Sequence, residues 1–544
     1  MDRIWIQHYP EGVPVEIDPD VHGSLTELLD ERIRTFAEHG AFTSFGTRIS
    51  YAALDGQARS LAGYLQSELK LARGERIALM LPNLLQYPVA VCAALRAGLV
   101  VVNVNPLYTP RELKHQLNDA QAQTIVILAD VLPVLMEIVA ETGVRNIIVT
   151  EADDLLDSRG SVAAARPIPD NAVPFPRAME EGGHLAFKPV RLAAGDLAFL
   201  QYTGGTTGLS KGAMLTHRNM VANTLQTLAA FGSDLRPGNE IFITALPLYH
   251  VFGLTVNLLT CFLAGGLNVL IANPRDLPAF VRELSGWRFT RMTGVNTLFN
   301  GLLNTPGFAE LDFYALRTVI GGGMKVQKTV ADRWNRVTGN IICEGYGLSE
   351  TAPCLITNPG KLAEFTGSIG VPLPSTEVCI RDDSGRDLPP GQAGELCARG
   401  PQVMAGYWNR PEETRAAMTD DGFFRTGDIA VMDERGFFTI VDRKKDMINV
   451  SGFNVYPNEV EAVAASMDEI LECACVGAPD PRTGEAVMLF VVLKPGRQID
   501  ARRISEWCRQ RLAAYKVPAV IRFVESLPKS NVGKILRREL RAFV

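Results

Sequence analysis

No two cysteines in this chain have CxxC spacing, and no His/Cys group has the spacing of a metal site. The nine cysteines (Cys92, Cys261, Cys343, Cys354, Cys379, Cys397, Cys473, Cys475 and Cys508) are scattered and odd in number. That pattern excludes a disulfide framework and points to reduced thiols in a cytoplasmic setting. Basic charge is not in excess either: 54 Lys+Arg stand against 60 Asp+Glu, a net charge of −6. A dedicated nucleic-acid binder usually carries a basic patch or surplus, so no nucleic-acid partner is expected. The opening MDRIWIQHYPEGVP has no apolar h-region, so no signal peptide is expected. Internal repeats and low-complexity tracts are absent. Residues 241–274 carry no charge and are long enough to span a bilayer, but Pro247, His250, Asn257, Gly265, Gly266 and Asn268 interrupt them. The stretch reads as a buried strand, loop, helix and strand, or as a surface that meets lipid or an apolar ligand.

What is present is the composition of a folded protein, 47% hydrophobic and 21% charged. Its 544 residues correspond to roughly three or four domain-sized units. Apolar runs of strand length (RIALM at 76–80, TIVIL at 124–128, NIIVT at 146–150, LNVLI at 267–271) alternate with helical stretches at 84–97 and 110–120. This alternation predicts α/β units with largely parallel sheets. Residues 153–182 read as a long surface excursion. Near residue 370 short apolar runs separated by DDSG and PPGQ predict a small β-rich subdomain. Beyond Asp442 a compact α+β unit of about 100 residues follows, ending in a basic segment at 528–538.

Four segments concentrate glycine, hydroxyls and charge. In Tyr202-Thr-Gly-Gly-Thr-Thr-Gly-Leu-Ser-Lys-Gly-Ala213 small residues leave backbone N–H groups open after the strand LAFLQ, ahead of a helix near His217. That suits a phosphate cradle, although a flexible Gly/Thr loop has the same composition. It is not a Walker A loop, because Gly208 and Lys211 are only three apart and Gly212 follows. Glu344-Gly-Tyr-Gly-Leu-Ser-Glu350, after Gly321-Gly322-Gly323, offers Glu350 to a hard cation or simply to solvent. Asp428 and Arg443 flank a charged stretch that suits sugar or phosphate hydrogen bonding, or an exposed linker. In Pro528-Lys-Ser-Asn-Val-Gly-Lys534 a tight glycine turn aims a lysine, or leaves it in solvent.

In this order and spacing the four segments resemble the adenylate-forming superfamily, and YTGGTTGLSKGAMLTHRNM, ALPLYHVFGL, GVNTLFNGLL, GYGLSET, GDIAVMDERGFFTIVDRKKDMINVSGFNVYPNEVE and LPKSNVGKILRREL are especially similar to bacterial long-chain fatty acid–CoA ligases. The resemblance implies a large N-terminal domain over 1–442, with two α/β subdomains and a β-rich one, and a mobile C-terminal domain over 443–544. It implies fatty acid, ATP and CoA as substrates, with Mg²⁺. The loop from Thr203 through Gly204, Gly205, Thr206, Thr207 and Gly208 to Lys211, preceded by Tyr202, would hold the β- and γ-phosphates. Glu350 would ligate Mg²⁺, with the Thr206 hydroxyl nearby. Tyr346 would stack on adenine above Gly322 and Gly323, beside Gly347 and Ser349, the last being Thr in many relatives. Asp428 and Arg443 would bind ribose. Lys534 would bridge the acyl carboxylate and the α-phosphate, with His250 near that carboxylate. Rotation about Lys445 would later withdraw Lys534 and bring Gly452 to the pantetheine. The uncharged stretch, with VNTLF at 295–299, would line an acyl channel. Medium-chain or aryl acid–CoA ligation, or acyl-AMP transfer to a carrier protein, are the alternatives within the same superfamily. A peripheral association with the inner membrane face and a homodimer complete these expectations.

Overall fold

The computed structural model of the chain describes residues 3–157, 168–203, 210–360, 362–530 and 533–544. One sheet has seven strands in the order Ala172–Pro174, Asn146–Thr150, Thr124–Leu128, Arg76–Met80, Val100–Asn103, Leu197–Thr203 and Lys211–Thr216. Every neighbouring pair is parallel except the last. A second sheet has nine strands and is antiparallel only near its two ends. Its parallel centre runs Ile342–Gly347, Thr318–Gly321, Arg291–Gly294, Ile241–Thr244, Leu267–Leu270 and Gly40–Ser44. Strands covered on both faces must be apolar throughout, which is why TIVIL and LNVL are buried along their whole length. A four-stranded antiparallel sheet (Glu377–Arg381, Gly394–Arg399, Phe424–Met432, Phe438–Arg443) forms the β-rich subdomain. A five-stranded sheet with the helices Pro457–Ala464 and Ala501–Arg509 forms the C-terminal unit. The mixed α/β architecture expected from the sequence is therefore observed.

Local chemistry sets the element ends. Thr109 caps the helix Pro110–Ala120, with Glu112 closing the capping box, Pro at its start and left-handed Gln121 at its end. The helix expected near His217 is observed over His217–Ala230, preceded by the strand Lys211–Thr216, which pairs with Leu197–Thr203. One expectation needs correction. The excursion at 153–182 is not surface throughout. Ala172–Pro174 joins the seven-stranded sheet, and Phe175, Ala178 and Gly182 of the next helix are buried. Gly182 lies so close to Ser60 that a Cβ there would sit 1.9 Å from its carbonyl oxygen. Residues 158–167 of that stretch lie outside the described residues.

A buried polar network ties the two large sheets. Asn83 donates to the carbonyls of Thr244 and Leu246 and accepts from the Leu248 N–H, at 3.0, 3.0 and 2.8 Å. The Tyr87 hydroxyl shares its proton between Asn103 Oδ1 and the Leu248 carbonyl, and Asn103 donates to Gln201, which donates to the Tyr249 carbonyl. Four polar side chains thus fix the segment leading to His250. The uncharged 241–274 stretch is a strand, a loop, a run of π- and α-helix over 253–263 and a second strand, as expected. Among the described residues no helix is long and apolar enough to cross a membrane.

The C-terminal unit is pinned to the body through Arg537. Its guanidinium donates to Asp442 at 3.0 Å, Glu461 at 2.8 and 3.0 Å and Asn458 at 2.6 Å. Asp442 also accepts from the Asn458 N–H at 2.8 Å. Removing the cation strands two recessed carboxylates, a change worth about 3 kcal/mol or more. Arg537→Met is therefore expected to unfold the C-terminal unit at markedly lower denaturant. Unfolding that coincides with the parent chain would show that the pair adds nothing.

Candidate active site

Parallel sheets leave room at the carboxyl ends of their strands, and it is there that a cleft opens. Its volume is about 2170 Å³, and its walls come from both large sheets, the β-rich subdomain and the C-terminal unit. Tyr202, Thr203, Lys211, His250, Gly322, Gly323, Tyr346, Gly347, Ser349, Glu350, Asp428, Arg443, Lys445 and Lys534 all line it. Gly452 does not: it is exposed, at φ +86° after left-handed Ser451. Gly204, Gly205, Thr206, Thr207 and Gly208 lie outside the described residues.

The two ends of the glycine loop are held in register, Thr203 opposite Lys211. Tyr202 donates to Asp119 at 2.7 Å, and Asp119 also accepts from Arg410 at 2.7 Å. Gly212 lets the strand pass close to Tyr202: a Cβ there would lie 3.1 Å from the ring. The Lys211 ammonium is ion-paired with Glu413 and lies 5.3 Å from the centre of the Tyr407 ring. Tyr407 in turn donates to Glu350 at 2.8 Å. Burial pushes the Glu350 carboxyl above the usual carboxylate range, and the Tyr407 hydrogen bond opposes that.

Across the cleft, Asp428 and Arg443 face each other on adjacent strands, with 3.6 Å between Oδ1 and Nε. Tyr346 donates to the other Asp428 oxygen at 2.6 Å. Burial raises the Asp428 pKa and Arg443 pulls it back. Gly322 and Gly323 form a bare floor: a Cβ on Gly322 would meet the Phe252 ring at 2.8 Å, and one on Gly323 would meet Cε of Lys534 at 3.0 Å.

Lys534 reaches this floor on a turn in which the Ser530 N–H donates to the Lys534 carbonyl at 2.7 Å and Gly533 adopts φ +77°. Thr297 anchors the turn by donating to the Gly533 carbonyl at 3.2 Å. Burial, and then the Arg443 charge, bring the Lys534 ammonium down to about 8, against the pull of Asp428 and Glu350. His250 is pushed down to about 3 by burial and by Lys534, so its ring is neutral at pH 7. Its Nδ1 accepts from the Phe252 N–H at 3.3 Å, which leaves Nε2–H as a donor. Lys445 is lowered to about 8 by burial and Arg443.

Among the described residues no group of three His, Cys, Asp or Glu could hold a metal by itself. A single recessed carboxylate, Glu350, suits a Mg²⁺ ion that takes its remaining ligands from phosphate oxygens and water. Sequence reasoning did not single out Asp119, Glu344, Tyr407, Arg410 or Glu413. GYWNRPEE at 406–413 places two aromatics before a Pro-started helix, but nothing local says that they face a loop about 200 residues upstream. Glu344 accepts from the Val326 N–H at 2.8 Å and is raised to about 7 by burial.

The AMP-binding enzyme family matches residues 29–408, and the AMP-binding enzyme C-terminal domain matches 459–534. A long-chain-fatty-acid–CoA ligase of Salmonella typhimurium is 51% identical, over 99% of this chain and 98% of the relative. The enzyme of that description from Haemophilus influenzae is 45% identical, over 99% and 98%. Among solved structures, ATP-bound MatB from Rhodopseudomonas palustris superposes with a TM-score of 0.83 at 30% identity, over 95% of this chain and 98% of that one.

Among the described residues Tyr407 supplies the hydroxyl that donates to Glu350, and Tyr407→Phe removes it. A hydrogen bond to a charged group is worth about 1.5 kcal/mol, so MgATP affinity measured by calorimetry is expected to fall about tenfold. Unchanged affinity would separate Tyr407 from nucleotide binding.

Proposed function

The chain belongs to the AMP-binding enzyme family, among its long-chain fatty acid–CoA ligases, and we propose the residue roles by which its cleft carries out the two half-reactions. It uses ATP with Mg²⁺ to convert a long-chain fatty acid to acyl-AMP, then transfers the acyl group to CoA, releasing pyrophosphate and AMP. In the first step a carboxylate oxygen bonds to the α-phosphorus as pyrophosphate leaves. In the second the CoA sulfur bonds to the acyl carbon as AMP leaves.

The physical difficulty of the first step is repulsion between a carboxylate and a triphosphate. Each unit-charge pair at ~4 Å and an effective dielectric of ~20 costs about 4 kcal/mol. Positive charge fixed in advance offsets this without reorganisation. In this reading Lys534 lies between the carboxylate and the α-phosphate, and neutral His250 donates from Nε2 to the carboxylate. The Thr203–Lys211 loop, including Gly204, Gly205, Thr206, Thr207 and Gly208, cradles the β- and γ-phosphates. Glu350, with Thr206, holds Mg²⁺, which supplies further positive charge at the phosphates. Tyr346 stacks on adenine over Gly322 and Gly323, beside Gly347 and Ser349, while Asp428 and Arg443 take the ribose hydroxyls. The observation that carries the reading is the Lys534 ammonium resting on the Gly323 floor, opposite Asp428 and Glu350.

The second step calls for Lys534 to leave. Gly452 lies outside the cleft, which supports a second orientation in which residues 443–544 turn about Lys445 against 1–442. Membrane contact belongs to the same reading: a substrate that partitions into bilayers favours peripheral association on the inner face of a cytoplasmic enzyme. A homodimer is its remaining element.

Lys534→Ala is expected to slow pyrophosphate release more than a hundredfold, while thioester formation from supplied acyl-AMP changes less than fivefold. Equal losses in both steps would refute the two-orientation role. The Lys534 charge also has a pH signature. Its pKa lies near 8 rather than 10.5, so the charged form is lost as pH rises through 8. The kcat/KM for adenylation, which reports the free enzyme, is expected to fall above pH 8. The thioester step from supplied acyl-AMP should lack that limb, and a limb shared by both steps would assign it to another group.

A further inference from the structure

The cleft extends from the Gly322–Gly323 floor along the strand Thr318–Gly321. Thr318, Ile320 and Gly322 alternate toward it, as side chains on one face of a strand must. Gly322 continues the ladder, its N–H donating to the Gly294 carbonyl at 3.1 Å. Thr227, Ala230 and Phe231, at the end of the helix His217–Ala230, line it too, together with Val256. Phe231 belongs to a small cluster of its own, with Phe242 and Cys261, against which Leu228, Leu235 and Ile320 pack.

The Phe231 ring is backed by charge as well as by this apolar packing. The Arg291 guanidinium lies 4.1 Å from its centre, and the Phe242 ring meets it edge-on at 6.1 Å. Arg291 donates to Glu240 at 3.1 Å and to Thr318 at 2.6 Å. Glu240 also accepts from Thr290 at 2.5 Å, from Arg317 at 2.7 Å and from the Arg236 N–H at 2.7 Å. Both Arg291 and Glu240 are almost wholly buried. Moving an alkyl chain into this slab would break charge-assisted hydrogen bonds at low dielectric, a far larger penalty than a methylene gains by burial.

We propose that Phe231, backed by the Arg291–Glu240 pair, is the end wall of the acyl channel and sets the chain length beyond which added carbons no longer tighten binding. The proposal rests on the acyl-activating reading of the cleft. The strand serves as a ruler. From Gly322 to Thr318 is four residues, about 13 Å at ~3.3 Å per residue. An extended chain advances about 1.3 Å per carbon, given C–C bonds of ~1.5 Å. The wall therefore stands roughly ten carbons beyond the carboxylate, and longer acids enter only as the ring turns aside.

The test is kcat/KM for AMP release with saturated acids of even length from octanoate to stearate. The parent enzyme is expected to gain about fourfold per methylene up to roughly twelve carbons and then to level off. Phe231→Ala is expected to raise the palmitate-to-octanoate ratio of kcat/KM at least tenfold. A ratio equal to the parent's would overturn the proposal. AMP release with no acid at all would instead remove the acyl-activating reading beneath it. Because Phe231→Ala could unfold, a second measurement uses the unmodified protein: dodecanoate with a terminal diazirine, photolysed with MgATP and mapped by peptide mass. Labelling confined to residues 227–231, 318 or 320 is expected. Labelling elsewhere would place the end of the channel elsewhere.

Discussion

A lysine ammonium taken out of water is unstable unless negative charge comes to it. In this protein the Lys534 ammonium sits in a cleft where Arg443 opposes it and, among the described residues, Asp428 and Glu350 support it. Most of the rest of the structure serves that one placement. The parallel sheets end where the cleft must open, the glycine floor leaves room for the lysine stem, and Thr297 anchors the turn that carries it. The arrangement is unfavourable by itself; in the proposed role of Lys534 it becomes favourable when two anions that repel each other are brought to it. Such binding energy, larger for the charge developing at the α-phosphate than for separate substrates, is what accelerates the step.

The same logic explains why His250 is neutral and why its segment is so firmly held. A second cation beside Lys534 would add repulsion, and burial removes it. The network of Asn83, Tyr87, Asn103 and Gln201 fixes the backbone just before His250, so the ring is positioned by buried hydrogen bonds. Lys211 shows a contrasting economy of charge. Its ion pair with Glu413 and its place over Tyr407 keep it satisfied where it is half-buried.

Local signals carried the legible part of the sequence. The helix Pro110–Ala120 was readable because Thr109, Pro110 and Glu112 write a start signal within four residues. The parallel strands were readable because burial on both faces demands unbroken apolar runs. The candidate site residues were named from motifs in a fixed order, and the structure brings those it describes into one cleft, Gly452 excepted. What was not legible depends on distance along the chain. KGAMLT was not read as a strand, since its partner, LAFLQYT, lies on the other side of the glycine loop. Asn83, Asn103 and Gln201 stand among apolar neighbours and give no periodic signal; their partners are up to 165 residues away. Tyr407 and Glu413 join the site only through tertiary contact, and the Arg291–Glu240 slab looks in sequence like two ordinary charges.

The central claim is that the acid's carboxylate attacks the α-phosphorus at the Lys534 position. Fatty acid labelled with ¹⁸O in both carboxylate oxygens, turned over with ATP, Mg²⁺ and CoA, tests it most directly. The account requires one labelled oxygen in the phosphate of each AMP formed and none in pyrophosphate. Label in pyrophosphate or inorganic phosphate, or AMP free of label, would contradict it.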